Sequence, residues 1–235
     1  MSRTRIAVLA SGGGSNLQAI LDYFDELGAR RRGDVVMVAS DRTAAGALER
    51  ARVRGIAAEH VPVSGRAAGV TDIGELLARH AVDLLVLAGY LRRVPDDVVH
   101  RYAGRIVNVH PSLLPAFGGP GMYGRRVHEA VLAAGVTVTG ASVHFIDEEY
   151  DRGTIIAQWP VPVLRNDDAD SLAARVLRVE HLLYPRVVDA VATGTVTLGA
   201  CRSGRRFDPT SGTTFRMFSQ EDDCLADDID RALGC

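Results

Sequence analysis

Asn108 and His110 stand two residues apart at the end of the β-branched run Arg105–His110. Alternate side chains of a strand share a face, so an amide and an imidazole are expected side by side. The amide can donate to an oxyanion forming on a carbonyl, and the imidazole can move an amine's proton. Together they suit acyl transfer. Downstream, Asp147, Glu148, Glu149 and Asp151 offer a carboxylate to orient that imidazole and stabilise its charged form. Taken singly, these features also read as an ordinary strand end and a solvated turn, and His144 reads as a hydrogen-bonded core histidine. No serine or cysteine nearby has a setting for nucleophilic attack, so direct transfer without an acyl-enzyme is favoured. The spacing of His110, His144 and the carboxylates matches no standard metal motif, and no metal is expected.

Ser11–Asn16, SGGGSN, follows the first apolar run and opens a helical pattern. Glycines there permit a sharp turn, and the unpaired N–H groups of a helix start attract an anion. A dinucleotide fingerprint would need a third glycine where Leu17 stands, although Asp41 could mimic its ribose-binding acid. A single phosphate therefore fits better than a dinucleotide. A plain β–α turn with a helix cap is equally compatible.

The elements that must hold these residues alternate along the chain. Apolar runs at 5–10, 35–40, 60–63, 83–90 and 105–110 predict strands, and helical patterns at 15–27, 44–53, 72–80 and 96–102 separate them. That alternation predicts an α/β, Rossmann-like fold: a mostly parallel twisted sheet with helices on both faces. Pro111–Gly124 reads as a long functional loop. A helix near Arg126–Ala134, paired strands at 137–145 and 154–163, and a long helix over 171–193 capped by Asp170 complete the pattern. Residues 1–195 are expected to form one domain. Residues 196–235, without a strong apolar period, are expected to be an extension on the surface or partly disordered.

Composition narrows the chemistry. Lysine is absent, so all 27 basic residues are arginine. A Walker-type phosphate loop and a Schiff-base mechanism, which both need lysine, are thereby excluded. A net charge of −2 points to neither nucleic acid nor membrane as a partner. No apolar run reaches the roughly 18–20 residues of a membrane span. Cys201, Cys224 and Cys235 suggest neither a disulfide framework nor a zinc site, and favour a reducing cytoplasm.

NVHPSLLP (Asn108–Pro115), SGGGSNLQAI (Ser11–Ile20), SVHF (Ser142–Phe145) and the acidic loop ending at Asp151 occur in order within about residues 5–194. In this the chain resembles the phosphoribosylglycinamide formyltransferase (glycinamide ribonucleotide transformylase) family of folate-dependent formyltransferases. The resemblance implies transfer of the formyl group of 10-formyltetrahydrofolate to the amine of glycinamide ribonucleotide, in de novo purine biosynthesis. It implies that Asn108 holds the formyl oxygen, that His110 is the general acid/base and that Asp151 is its carboxylate partner. Gly14, Ser15 and Asn16 would cradle the substrate phosphate, and Glu180 would contact the ribonucleotide. Arg66 would meet the folate's glutamate tail. Leu91, Arg92, Arg93 and Val94 would line the pterin pocket, with Asp147, Glu148, Glu149 and Tyr150 closing over it.

The sequence departs from the family at three places. Leu177 stands where some members have glutamine, Arg152 replaces a glycine often seen after the catalytic aspartate, and Ala116–Arg126 is longer than in compact members. Initiator-tRNA formyltransferase, with an added RNA-binding barrel, and formyltetrahydrofolate hydrolase, with a leading regulatory domain, fit less well. A non-catalytic module that kept the fold is a further alternative, opposed by the intact triad. A monomer or homodimer is expected.

Overall fold

A computed structural model describes residues 3–61, 72–202 and 231. Arg66, Cys224, Cys235 and most of the predicted extension lie outside the described residues. In chain order the elements are β1 Thr4–Leu9, α1 Ser15–Leu27, β2 Gly33–Ser40, α2 Gly46–Val53, β3 Ala57–His60 and α3 Ile73–Arg79. There follow β4 Leu84–Leu87, α4 Asp96–Arg101, β5 Ile106–His110, α5 Arg125–Ala133, β6 Val138–Phe145, β7 Ile155–Pro162, α6 Ala169–Ala192 and α7 Leu198–Arg202.

The strands form one seven-stranded sheet in the order β3-β2-β1-β4-β5-β6-β7. β3 to β5 run parallel, and the β5–β6 and β6–β7 pairs are antiparallel. Strand order reverses between β1 and β4, and open α/β sheets bind ligands beyond the carboxyl ends of strands at such a switch.

Period-two alternation sorts the strand side chains to two faces. Ile6 and Val8 pack with Leu17, Ile20 and Phe24 of α1 and with Leu183, Tyr184 and Val187 of α6. Ala7 and Leu9 face the other way, onto Leu76 and Leu77 of α3 and Val98 of α4. Burying each large aliphatic side chain stabilises the fold by about 1.5–3 kcal/mol, so both faces contribute heavily. α6 also fixes the strand that carries the predicted chemistry. The fully buried Tyr184 hydroxyl lies 3.0 Å from both Leu87 O and Val107 O, where it can donate across the β4–β5 seam.

Several boundaries differ from the sequence reading. α6 is capped by Asp168, not Asp170: the Asp168 carboxylate accepts from the backbone N–H groups of Asp170 and Ser171, and the Ser171 hydroxyl sits 3.0 Å from Asp168 N as its acceptor. Both aspartates precede the apolar period, and the reciprocal bond with Ser171 decides between them. β3 ends at His60, upstream of the expected 60–63. β4 ends at Leu87 because the chain turns at Gly89, where φ is +73°. The helix α7 falls where no element was expected, and Val196, Leu198 and Cys201 pack on the core past residue 195. Among the described residues no helix is long and apolar enough to cross a membrane.

Candidate active site

β5 positions the central pair. Val107 and Val109 point into the α1/α6 face, so Ile106, Asn108 and His110 share the opposite one. Antiparallel β6 then sets Asn108 opposite His144 and His110 opposite Ser142. The Asn108 amide nitrogen lies 3.1 Å from His144 Nε2, and His144 Nδ1 lies 3.0 Å from Phe145 O. Consistent roles follow: His144 donates from Nδ1 and accepts at Nε2 from one Asn108 N–H. Complete burial holds the His144 pKa below its ordinary value, outweighing the nearby Asp151 carboxylate, so this neutral tautomer is the stable one. The Asn108 amide is therefore fixed with nitrogen toward His144, and its second N–H is left for a group in the pocket that Asn108 lines.

His110 is buried, with Nε2 2.9 Å from Phe117 O and Nδ1 3.6 Å from Asp151 Oδ2. Each ring nitrogen thus faces an acceptor, and an imidazolium can donate to both. Asp151 serves several partners at once. Its Oδ2 accepts from Gly119 N at 2.9 Å, and its Oδ1 lies 3.7 Å from His144 Nε2. It reaches them from a left-handed backbone, φ +53°, which non-glycine residues seldom adopt. The loop that closes on it depends on Gly118, where a side-chain carbon would sit 2.5 Å from Leu114 Cδ2 and 3.2 Å from Asp151 Cβ. Upstream, the Ser142 hydroxyl donates to Ser112 O and accepts from Leu114 N, so β6 anchors the Pro111–Pro115 turn.

The pocket over this cluster is walled by Leu91, Arg92, Arg93 and Val94 on one side and by Asp147, Glu148, Glu149, Tyr150 and Asp151 on the other. Gly119, Gly121, Met122, Tyr123 and Gly124 close a third side. The empty space, open mouth included, is about 950 Å³. Arg92 is tied to the buried carboxylate of Asp41 at 3.2 Å. Tyr90 beside them has its phenol pushed up to about 12, by burial first and then by Asp41.

The glycine loop and Glu180 stand apart from that pocket's walls. Gly14 caps α1 with φ +75°, and a side-chain carbon there would lie 2.8 Å from Ala47 Cα, so both conformation and space require glycine. Gln18 N makes the first helical bond, to Gly14 O, leaving the N–H groups of Ser15, Asn16 and Leu17 without an intrahelical acceptor. Asn16 turns inward, and its amide donates to Glu180 Oε2 at 2.7 Å. Burial raises Glu180 to about 7, more than that donor lowers it. Ser11 links the loop to the pocket wall: its N–H donates to Gly89 O and its hydroxyl accepts from Leu91 N.

Two residues of this arrangement escaped the sequence reading. Ser11 reads only as the first residue of the anion-binding loop Ser11–Asn16, with no sign of its bond to the pocket wall. His144 is the hydrogen-bonded, fully buried histidine its sequence suggests, but its seat beside Asn108 emerges only with the β5–β6 register. Among the described residues no group of three or more potential ligands could hold a metal ion.

A doubly wound sheet presenting an amide, an imidazole and a carboxylate at its carboxyl edge, beneath an open pocket, defines a Rossmann-like frame equipped for group transfer. Residues 4–188 match the formyl transferase family model. The chain is 42% identical over 192 residues to the chloroplastic phosphoribosylglycinamide formyltransferase of Vigna unguiculata, covering 80% of this chain and 61% of that one. It is 39% identical to the phosphoribosylglycinamide formyltransferase of Escherichia coli (strain K12), covering 87% of this chain and 96% of the other. A crystal structure of glycinamide ribonucleotide transformylase 1 from Symbiobacterium toebii superposes with a TM-score of 0.74 at 42% identity, covering 82% of this chain and 89% of that one. The chain spans about three fifths of the length of the Vigna relative. It belongs to the formyl transferase family, among the phosphoribosylglycinamide formyltransferases.

Proposed function

We propose that this chain transfers the formyl group of 10-formyltetrahydrofolate to the amine of glycinamide ribonucleotide, giving formylglycinamide ribonucleotide and tetrahydrofolate. The observation that carries the reading is the juxtaposition of Asn108, His110 and Asp151 on the floor of one pocket. In this reading the substrate amine attacks the formyl carbon directly. The tetrahedral oxyanion accepts from the second Asn108 N–H and from a protonated His110, whose Nε2–H turns from Phe117 O to the oxyanion while Nδ1 faces Asp151. A proton passes from the attacking amine to the departing folate nitrogen, and collapse breaks the carbon–nitrogen bond to the folate. Leu91–Val94 and Asp147–Tyr150 hold the pterin. The N–H groups of Ser15 and Asn16, with Gly14, take the phosphate, and Glu180 acts on the ribonucleotide side through Asn16. Arg66 is proposed to meet the glutamate tail. No metal enters this scheme. A reducing cytoplasm fits the three widely spaced cysteines, and a monomer or homodimer is proposed.

The test is an absorbance assay of folate turnover with and without glycinamide ribonucleotide. Amine-dependent turnover that falls about 10²–10⁴-fold in His110→Ala, the usual size of acid–base catalysis, is the expected result. Turnover independent of the amine would indicate hydrolysis instead. Near-normal transfer by His110→Ala would overturn the assignment.

A further inference from the structure

We infer that His100, which does not line the pocket, is a positioning residue for the segment 146–151 that walls it, acting through a clamp on Glu148. This rests on the folate reading of the pocket. The segment bridges the ends of β6 and β7. Its stems are fixed by Ile146 N donating to Ile106 O and Phe145 N donating to Thr154 O. Between the stems, Asp151 is held by Gly119 N, and Glu149 N turns back on the Asp147 carboxylate. The remaining anchors converge on Glu148. His100 Nε2, on α4, meets its carboxylate at 2.7 Å, and Arg93 donates to its backbone oxygen at 3.3 Å while paired with Asp96 at 2.7 Å.

The clamp joins three parts that the chain supplies separately: the helix α4, the Leu91–Val94 wall and the acidic wall facing it. Asp151, three residues along from Glu148, keeps its left-handed backbone while its Oδ2 stays near His110. Releasing Glu148 frees the pocket wall next to a residue that does not otherwise favour its conformation. All four side chains, Arg93, Asp96, His100 and Glu148, are more than half exposed, so water screens the contacts and the effect is modest. It is expected in co-substrate binding rather than in the chemical step.

The experiment is a double-mutant cycle on the full chain with His100→Ala, Glu148→Gln and the pair, reading KM for the folate co-substrate and kcat separately. His100→Ala is expected to raise that KM about two- to fivefold, the scale of exposed ion pairs, with kcat changed less than twofold. Glu148→Gln is expected to raise KM, and the double variant to be no worse than the worse single. His100→Arg, which restores a donor, is expected to recover most of the loss. Unchanged KM in His100→Ala, additive effects in the pair, or loss confined to thermal stability would each overturn the inference. Failure of the wild-type chain to transfer formyl would instead overturn the functional reading. Binding of a non-reactive 10-formyl folate analogue to wild type and His100→Ala, followed by fluorescence, reads the clamp independently of turnover.

Discussion

The geometry of Asn108 makes a sharp statement about a single amide. Free in solution its two N–H groups rotate together, whereas here one is engaged by His144 Nε2 and the other is directed by default. His144 can do this only while neutral, which its complete burial enforces. Asn108→Ala is expected to lower kcat about 10²–10³-fold, the loss usually seen when one oxyanion donor is removed. His144→Ala is expected to cost about tenfold, because the amide keeps its chemistry and loses its aim. Since the second residue acts through the first, the pair should be strongly non-additive, with the double variant near Asn108→Ala alone. Losses that multiply in steady-state kinetics would mean that His144 acts on the substrate by a separate route.

At the scale of elements, α6 threads polar groups through an apolar interface. Glu180 sits on a face otherwise packed with Val176, Val179 and Leu183, and its carboxyl is almost inaccessible. Its one partner among the bonds described is the Asn16 amide, whose own oxygen is buried with no hydrogen-bond partner. A protonated Glu180 could donate to that oxygen; an ionised one cannot. The sign follows from the values. A carboxyl whose folded value is about 7, against an ordinary 4.5, binds its proton more tightly in the folded chain. Its favourable contribution is complete below about pH 4.5 and is lost as pH rises through 7. Glu180→Gln is therefore expected to gain stability over wild type at pH 8 and not at pH 4.5, by no more than about 3 kcal/mol. Urea melts at the two pH values check this, and a difference that does not change with pH would refute it.

The elements also show which parts of the molecule its sequence announces. Runs such as Arg5–Ala10 and Asp83–Tyr90 declare strands covered on both faces, and their alternation with helical patterns yields the parallel half of the sheet. Asn108 and His110 were legible as neighbours because period two is a property of one strand. His144 was not, because its seat opposite Asn108 depends on the antiparallel register of β5 and β6, which no local pattern encodes. Asp168 and Asp170 both precede the apolar period of α6, and only the reciprocal bond to Ser171 separates them. α7 lacks any buried residue of its own, so it carries no apolar period to read.

For the whole molecule, the question is where the cooperative unit ends. The family match stops at residue 188, and a boundary at 195 is the natural reading of the composition. The packing runs further. Val196 is buried in the main core, its N–H donates to Ala190 O, and Leu198 lies against the turn at Gly104, where a side-chain carbon would meet Leu198 Cβ at 3.1 Å. The segment after α6 thus ties the end of that helix to the turn leading into β5, the strand that carries Asn108 and His110. Two shortened chains compared directly should expose this. One ending at Thr195 is expected to be less stable than one ending at Arg202 by about 2–4 kcal/mol, the burial lost with one valine and one partly buried leucine. The shorter chain should also melt earlier at every denaturant concentration, with a similar m-value, since nearly the same surface is exposed on unfolding. Equal midpoints for the two would place Val196 and α7 outside the unit whose folding holds the site together.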